Sequence, residues 1–343
     1  MSRVLIIGTS KYTRGGITAV IKAQQQGAQW KQFHCKWIGY HVDRSGWIKV
    51  LYYLLAAIRY IINLPFYQIV HFQFSLPTDA RRACYFFRIA KLFGKKTIVH
   101  LHCGDQLPEI WSPMYEELFT HCDLALVLSP SIKRKVEEYI GTNRRVEVLY
   151  NPCPIIKTIT PFDKREKEIL FAGTLNANKG YSDLIVGFSK ISTKYPDWKV
   201  VFAGNGQIDQ AKALAQKLGI ERQCQFLGWV NGEQKDAAFR RASVLCLASY
   251  QEGFPMAVLD AWAYGVPVVT TPAGGLSDII IEGRNGLMFK AGDTVMLAEK
   301  LDTIMSDNQM RINIGEESRL LAYTTFNIDN LNKQLGEIYE SLL

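Results

Sequence analysis

Two carboxylates frame a short segment that could bind both a phosphate and a sugar. Glu252 lies in a loop between a predicted strand, residues 243–249, and a predicted helix, and Asp260 lies in the second turn of that helix. Pro255 is expected at the first helical position, where its missing N–H is not needed. Free N–H groups and the positive end of the helix dipole gather there, which suits a diphosphate. Carboxylates suit sugar hydroxyls, so the pattern favours a ligand with phosphate and polyol parts.

A strand, a helix and a second strand succeed one another around these carboxylates. The helix is expected to end at Gly265, and Pro267 introduces the second apolar strand. Such a unit implies a parallel sheet, because the helix returns the chain to the same edge. The same alternation recurs along the chain and is interrupted by a charged segment with three prolines at residues 151–167. It predicts an α/β protein with two doubly wound domains.

Positive charge is concentrated in the first half of the chain. The 343 residues have a formal net charge of +8, and residues 1–150 hold 20 Lys/Arg against 10 Asp/Glu. No nucleic-acid docking motif accompanies this charge, so we expect no nucleic-acid partner. An anionic membrane surface, or an acceptor with a phosphate group, fits the asymmetry better.

Two segments of this half have membrane-like compositions. Residues 46–67 are strongly apolar, and residues 79–96 mix aromatic and basic side chains. Four basic residues of the second segment are candidates for membrane or acceptor contact: Arg81, Arg82, Arg88 and Lys91. The alternative for both segments is a helix that flanks a sheet with its apolar stripe in the core. For the first segment we favour the core position; for the second, both interpretations stay open.

Targeting signals and cysteines bear on the compartment. The first eight residues fit a strand and not a signal peptide. The apolar run at residues 50–58 stops at Arg59, well short of the ~20 residues that span a bilayer. Seven scattered cysteines without a CxxC pair favour reduced thiols. We therefore expect a cytoplasmic protein, soluble or peripheral at the inner face of the cell membrane.

The segment around Glu252 resembles the signature of the retaining GT-B glycosyltransferases of glycosyltransferase family 4. That signature is Glu, seven residues, Glu; here Glu252 is followed by seven residues and then by Asp260, which is one methylene shorter. The resemblance covers nearly the whole chain and includes further positions after Asp260: Gly265, Pro267, Gly274, Gly275 and residues 282–287. It implies the GT-B fold, in which two Rossmann-like domains face each other across a cleft.

The resemblance also implies how the chain is divided. Residues 1–155 correspond to the acceptor-side domain, and residues 156–324 correspond to the domain that binds the nucleotide sugar. Residues 325–343 form an amphipathic helix, which similar proteins fold back onto the first domain.

By the same resemblance, five residues have roles around the donor. Gly15 and Gly16 would face the diphosphate, and Lys179 would supply a cation beside it. Glu252 would hold sugar hydroxyls. His102, in a His-Cys-Gly segment, would lie near the transferred sugar, and these assignments make His102, Glu252 and Lys179 the expected catalytic residues.

Further positions complete the expected donor site. They are Thr174, Gly204, Gly228, Gly253, Phe254, Pro255 and Asp260, with Asp260 on the ribose. Similar proteins carry Arg where this chain has Thr174, so one of two cations beside the diphosphate is missing. Lys11 and Arg14 in the glycine loop are candidates to compensate.

A pair of histidines precedes the glycine of that His-Cys-Gly segment. His100 and His102 share one face near the carboxyl end of a predicted strand, where ligands of open α/β sheets gather. A metal site formed with Asp105 lacks further spaced ligands, so we expect no metal and no cofactor besides the donor. His100 is interpreted as a packing or supporting residue.

These features predict a metal-independent, retaining transfer of a hexose-type sugar. The donor would be a UDP- or GDP-sugar, and the acceptor a saccharide or lipid-linked saccharide in cell-surface polysaccharide or glycolipid biosynthesis. Three alternatives stay open: a nucleotide-sugar-binding protein without turnover, a nucleotide-sugar epimerase, and a phosphorylase that uses phosphate as its second substrate.

Overall fold

The structure is a computed structural model, and it describes residues 2–42, 46–75 and 77–343. The chain forms two compact units. The first comprises Met1–Pro152 with Ile328–Leu343, and the second comprises Cys153–Asn327.

The first unit is built on a six-stranded parallel sheet. Its strands are β1 (Val4–Thr9), β2 (Lys36–His41), β3 (Ile69–Phe74), β4 (Lys96–Leu101), β5 (Leu124–Val127) and β6 (Val146–Val148). Their order across the sheet is β2-β1-β3-β4-β5-β6, and each neighbouring pair is parallel. β1 and β3 are buried along their whole length. Their apolar runs are continuous because a parallel sheet is covered on both faces.

Helices connect these strands. They are α1 (Gly16–Gln24), α2 (Ala28–Gln32), α3 (Gly46–Asn63), α4 (Pro77–Leu92), α5 (Leu107–Ile110), α6 (Pro113–His121) and α7 (Pro130–Ile140).

The second unit repeats this architecture. Its strands are β7 (Glu168–Ala172), β8 (Lys199–Ala203), β9 (Cys224–Gly228), β10 (Val244–Leu247), β11 (Val268–Thr270) and β12 (Leu287–Met288), in the order β12-β11-β10-β7-β8-β9. Its helices are α8 (Tyr181–Ser189), α9 (Ile208–Lys217), α10 (Gly232–Arg241), α11 (Met256–Ala263), α12 (Thr294–Ser306) and α13 (Asn308–Tyr323). Two Rossmann-like α/β units confirm the predicted fold class. The helix α11 begins one residue later than predicted, because Pro255 precedes it with an extended backbone.

The last helix, α14 (Ile328–Glu340), packs on the first unit. Leu331, Leu335 and Ile338 join the apolar cluster that surrounds β1 and α1. Nε2 of Gln29 in α2 donates a hydrogen bond of 2.9 Å to Oδ1 of Asn332. The return of the C-terminal helix to the first unit is thus confirmed.

The interpretation of residues 46–67 as a core helix is wrong. Among the residues of α3, only Ala56 and Tyr60 are buried. Most of its large apolar side chains are exposed to solvent. The expectation that this segment is too short to span a bilayer also needs correction. Gly46–Phe66 is the one helical segment in the described part of the chain that is long and apolar enough to do so.

The second membrane-like segment, α4, has its apolar stripe in the core. Ala83, Phe86 and Phe87 are buried. Three of its basic residues form ion pairs within the unit: Arg82 with Asp79, Arg88 with Glu117, and Lys91 with Asp123. This helix therefore flanks the sheet.

Candidate functional site

The second unit has a natural ligand-binding edge between β7 and β10. All neighbouring strand pairs in the sheet are parallel, so the carboxyl ends of the strands meet at one edge. The strand order reverses direction between β7 and β10. In open α/β sheets the crevice at such a switch point is where ligands bind. The loops that follow these two strands contain Thr174 and Lys179 on one side and Glu252 on the other.

Lys179 and Glu252 meet at this switch point. Nζ of Lys179 donates a short hydrogen bond to Oε1 of Glu252, and Oγ of Ser249 donates to the same oxygen at 2.8 Å. The carboxylate is almost buried, whereas the ammonium is partly exposed. Two residues that lie 73 positions apart in the sequence thus form one charged pair at the start of α11.

The two loops are also joined by hydrogen bonds to backbone carbonyls. Nδ2 of Asn178 donates to the Gln251 carbonyl at 3.0 Å, and the Tyr250 amide donates to the Asn178 carbonyl at 2.8 Å. Gly180 has φ +63, and a Cβ at this position would lie 2.1 Å from the Ala248 carbonyl oxygen. Only glycine permits this approach, which sets Lys179 beside the end of β10.

The Gly274–Gly275 segment supports the Glu252 loop from the other side. The Gly275 amide donates to the Gly253 carbonyl at 2.8 Å. Gly274 has φ +63, and a Cβ there would lie 2.2 Å from the same carbonyl oxygen. Phe254 is buried, with its ring centroid 5.3 Å from that of Phe326. The loop that feeds α11 is therefore held on both sides.

Asp260 has a cationic partner that the sequence analysis missed. Its Oδ2 lies 2.6 Å from Nζ of Lys235 in α10. Burial raises the pKa of Asp260, and the ammonium of Lys235 partly opposes this effect. The sequence could have indicated Lys235 as a site residue. It lies one turn into the helix that follows β9, and this helix begins at the same edge of the sheet.

The remaining donor-site residues of this unit lie at the same edge. Thr174 is exposed in the loop after β7, and Gly204 follows β8 directly. The two loops are paired through the Gly173 amide, which donates to the Ala203 carbonyl at 3.0 Å. Gly228 ends β9.

The first unit has its own switch point, between β1 and β3. The loop after β1 leads to Gly15, which has φ +150 and open space around its Cβ position, and α1 begins at Gly16. Hydroxyl groups fix the start of this loop: Oγ1 of Thr18 donates to the Ser10 carbonyl at 3.2 Å, and the Tyr52 hydroxyl donates to Oγ of Ser10 at 2.9 Å. The chain thus enters α1 through a glycine that has open space beside it.

His102 is held by a row of hydrogen bonds through two glutamine side chains. Its Nε2 lies 3.1 Å from Oε1 of Gln73, and Nε2 of Gln73 donates to Oε1 of Gln24 at 2.8 Å. This orientation of the Gln73 amide requires that Nε2 of His102 carries the proton, which leaves Nδ1 as an acceptor. Burial lowers the pKa of His102, so the ring is neutral at neutral pH. The sequence analysis missed Gln73, although it lies on the strand next to that of His100.

Behind His102 lies a buried row of rings. The His100 ring is 4.2 Å from that of His102, and Nδ1 of His100 is 3.3 Å from Nε2 of His71. Nδ1 of His71 is 2.9 Å from the hydroxyl of Tyr339 in α14. Burial lowers the pKa of both His71 and His100. Residues 2–42, 46–75 and 77–343 contain no cluster of three or more His, Cys, Asp or Glu side chains that could hold a metal ion.

Comparison with known proteins relates part of the chain to a known family. Residues 154–321 match the sequence profile of the family described as glycosyl transferases group 1. The match covers almost half of the chain and lies within the second unit. The matched part contains Thr174, Lys179, Glu252 and Asp260.

Two glycosyltransferases have sequences similar to this chain. An uncharacterised glycosyltransferase of Methanocaldococcus jannaschii is 33% identical over 258 residues, which are 69% of this chain and 66% of the relative. An α-1,4-N-acetyl-D-galactosaminyltransferase of Campylobacter jejuni, named for a saccharide on PP-undecaprenol, is 31% identical over 232 residues, 65% of this chain and 63% of the relative. The alignments thus span less than two thirds of either relative.

A solved structure shows the same fold over the whole chain. The Anabaena protein HepE, solved in complex with UDP and glucose, has a TM-score of 0.80 and 19% identity, with 100% of both chains covered. This likeness confirms the GT-B fold expected from the sequence.

Proposed function

We propose that this protein transfers a hexose-type sugar from a nucleoside diphosphate sugar to a hydroxyl acceptor, with retention of the anomeric configuration. The observation that carries the proposal is the pairing of Lys179 with Glu252 at the switch point of the second unit, beside the start of α11. A cation and the first amides of a helix suit a diphosphate, and a carboxylate suits sugar hydroxyls. The family and the UDP and glucose bound to HepE support this choice of ligand.

Each charged group has a role in the proposed transfer. The bond between the anomeric carbon and the diphosphate breaks while the acceptor oxygen bonds to the same carbon, and the departing diphosphate oxygen takes the acceptor proton. Lys179 and the amides near the start of α11 stabilise the negative charge that develops on the diphosphate. Glu252 binds sugar hydroxyls.

Two further groups position the donor. Asp260 binds the ribose, and its ion pair with Lys235 opposes the rise in its pKa that burial causes, which favours the charged carboxylate. His102 offers its unprotonated Nδ1 to a hydroxyl of the transferred sugar, since Gln73 occupies the opposite nitrogen.

The donor is a UDP- or GDP-sugar in this proposal, and the acceptor is a saccharide linked to a lipid at the inner face of the cell membrane. The Campylobacter relative is named for a saccharide on PP-undecaprenol. All of the net positive charge belongs to the first unit, which has 21 Lys/Arg against 13 Asp/Glu, whereas the second unit has 19 of each. A basic acceptor-side unit suits a diphosphate-linked acceptor and an anionic membrane.

Thermal stabilisation by a panel of UDP-, GDP-, ADP- and dTDP-sugars tests the donor site. A ligand that binds the folded state raises the melting temperature by mass action. We expect one sugar nucleotide to stabilise the wild type and to lose this effect with Lys179→Gln and with Glu252→Gln. Lys194→Gln is the matched control, because Lys194 pairs with Asp302 elsewhere in the same unit. Equal stabilisation of all four proteins would contradict the proposed site.

One observation favours a second candidate, a protein that binds the sugar nucleotide without transferring it. The exposed Thr174 stands where similar proteins place an arginine, so Lys179 acts without a second cation in that loop. Transfer to a lipid-linked acceptor, followed by mass spectrometry of the product, separates the two candidates. If binding occurs without product, and Thr174→Arg yields product, the second candidate is correct for the natural chain.

A further inference from the structure

The outward side of α3 consists of large apolar side chains, which we call the α3 apolar face. Its members, each between 42% and 73% exposed, are Trp47, Val50, Leu51, Leu54, Leu55, Ile58, Ile61 and Ile62. At 100° per residue they occupy one arc of about 140° around the helix. No charged residue falls within this arc, because Arg59 lies about 40° beyond one border and Lys49 lies on the opposite side of the helix. The face is thus continuous along the helix.

Two tyrosine hydroxyls of α3 bond to the rest of the first unit. The Tyr60 hydroxyl donates to the Phe86 carbonyl at 2.8 Å, and the Tyr52 hydroxyl donates to Oγ of Ser10 at 2.9 Å. Ala56 and Tyr60 are the buried residues of the helix. A helix on the surface of a water-soluble domain has the opposite arrangement, with its apolar stripe inward. The protein contacts therefore fix α3 with its apolar side outward.

These contacts also decide how the helix can meet lipid. A spanning helix would have to release the bonds of Tyr52 and Tyr60 and expose their side to hydrocarbon. A helix that lies along the bilayer surface keeps both bonds and buries only the α3 apolar face. The second arrangement is the one that the contacts allow.

The charges around α3 match an anionic surface. Arg59 borders the face, Nζ of Lys36 donates to Oδ1 of Asn63 at 2.6 Å, and Nζ of Lys95 donates to the Pro65 carbonyl at 3.2 Å. Within the described ranges, none of these three cations forms an ion pair with a carboxylate. The first 100 residues hold 15 Lys/Arg against 2 Asp/Glu. A second copy of the chain would bring the same positive charge to the face, whereas anionic phospholipids attract it.

We propose that the α3 apolar face docks on the surface of an anionic phospholipid bilayer, with α3 parallel to the membrane and Lys36, Lys95 and Arg59 at the lipid phosphates. Because Tyr52 bonds to Ser10 in the loop that leads to Gly15, docking holds this loop of the first unit close to the lipid. The inference concerns the surface alone and does not depend on the proposed transfer reaction.

Sedimentation with vesicles tests the proposal. We expect the wild type to bind vesicles of phosphatidylcholine with about 30% phosphatidylglycerol at least roughly tenfold more strongly than the variant with Leu51→Ser, Leu54→Ser and Ile58→Ser, which loses apolar area at the interface. The matched control replaces three exposed aliphatic residues of the second unit by serine, Ile281, Val295 and Leu320, and should bind like the wild type. Equal binding by the α3 variant, or no binding by the wild type, would overturn the proposal.

Charge variants distinguish α3 from α4 as the docking helix. Lys36→Gln, Arg59→Gln and Lys95→Gln together should reduce binding at least about fivefold, because each cation near an anionic surface contributes to the attraction. Arg81→Gln, Arg88→Gln and Lys91→Gln together remove the same number of charges and should leave binding close to that of the wild type. Arg88 and Lys91 are already paired with Glu117 and Asp123. The reverse result would place the docking surface on α4 and overturn the assignment to α3.

Two further measurements test whether the α3 variant loses vesicle binding because it is misfolded, or because a second copy of the chain covers the face. Circular dichroism and a cooperative melting curve should be unchanged in the α3 variant, because the replaced side chains are exposed. Light scattering without lipid should show a monomer for the wild type. A dimer that the α3 variant abolishes would mean that a second copy covers this face, which would also overturn the proposal.

Discussion

Lys235 Nζ lies 2.6 Å from Oδ2 of Asp260, whose side chain is only 9% exposed. The pair joins α10 to α11 at the ligand-binding edge of the second unit. It involves the residue at which this chain departs from the family signature, where aspartate replaces glutamate. The shorter side chain thus has a dedicated cation beside it.

Removal of this cation should make stability depend on pH. Lys235→Gln takes away the group that opposes the raised pKa of Asp260, so the pKa rises further. The stability contributed by a carboxyl with a raised folded-state pKa is complete below its unfolded pKa and is lost as pH rises from there through the folded value. We expect a loss of about 1–2 kcal/mol at pH 7.5, below the full value for a buried pair because Lys235 is partly exposed. The deficit should shrink at pH 5.

Urea unfolding at pH 5 and pH 7.5 measures the stability that Lys235→Gln loses at each pH. The double variant Lys235→Gln with Asp260→Asn is the control, because it buries no unpaired charge, and it should be more stable at pH 7.5 than Lys235→Gln alone. A deficit that is the same at both pH values would contradict the explanation.

The buried histidines should make the first unit sensitive to mild acid. The pKa of His71 is lowered to about 3 and that of His100 is lowered well below 6.5, so the folded state binds fewer protons than the unfolded chain. Stability is complete above the unfolded pKa and is lost as pH falls below it. The loss should be about 1.4 kcal/mol per pH unit for each histidine.

Urea unfolding between pH 5 and pH 7.5 gives this slope. His100→Phe preserves the stacking on His102 and removes one titrating ring, so the slope should decrease. His121→Gln, at an exposed position, should leave the slope unchanged. A slope unaffected by His100→Phe would show that other groups cause the acid sensitivity.

Two glycines at the switch point should tolerate no side chain. In Gly180→Ala and Gly274→Ala the new Cβ would lie within 2.2 Å of a carbonyl oxygen, at positions with positive φ. We expect a loss of about 2–5 kcal/mol for each, as the sum of the backbone and packing terms. Gly283→Ala has φ +74 but open space around it, so it should lose only about 1–2 kcal/mol.

Thermal unfolding orders the three variants. Gly180→Ala should also weaken stabilisation by the sugar nucleotide found in the panel, because it displaces Lys179. Equal losses in all three variants would mean that the close approach to the carbonyl oxygens has no energetic effect.

Much of the fold and part of the site could be predicted from local patterns. Apolar runs bounded by glycine and proline mark strands such as β10, and helical spacing marks α11. Each strand is followed by a loop and by a helix that returns the chain to the same edge of the sheet, so the strands run parallel. The sequence therefore also indicates that Lys179 and Glu252 follow strands of one parallel sheet. It does not show that β7 and β10 are neighbours, on which their contact depends.

Pairings between distant residues required the tertiary structure. Lys235 and Asp260 belong to separate helices, and Gln73 meets His102 across two strands. No local pattern specifies such partners, because they depend on the order of the strands and on which side chains point to the same space.

The same limit explains the error on α3. The sequence by itself determined that residues 46–63 form a long apolar helix, because composition and spacing act within a few turns. Only the tertiary structure decided which side faces outward, through the bonds of Tyr52 and Tyr60 to the first unit. The backbone hydrogen bonds of a helix are the same whether its apolar side faces the core or the solvent. The contacts of its few polar side chains therefore decide which side faces outward.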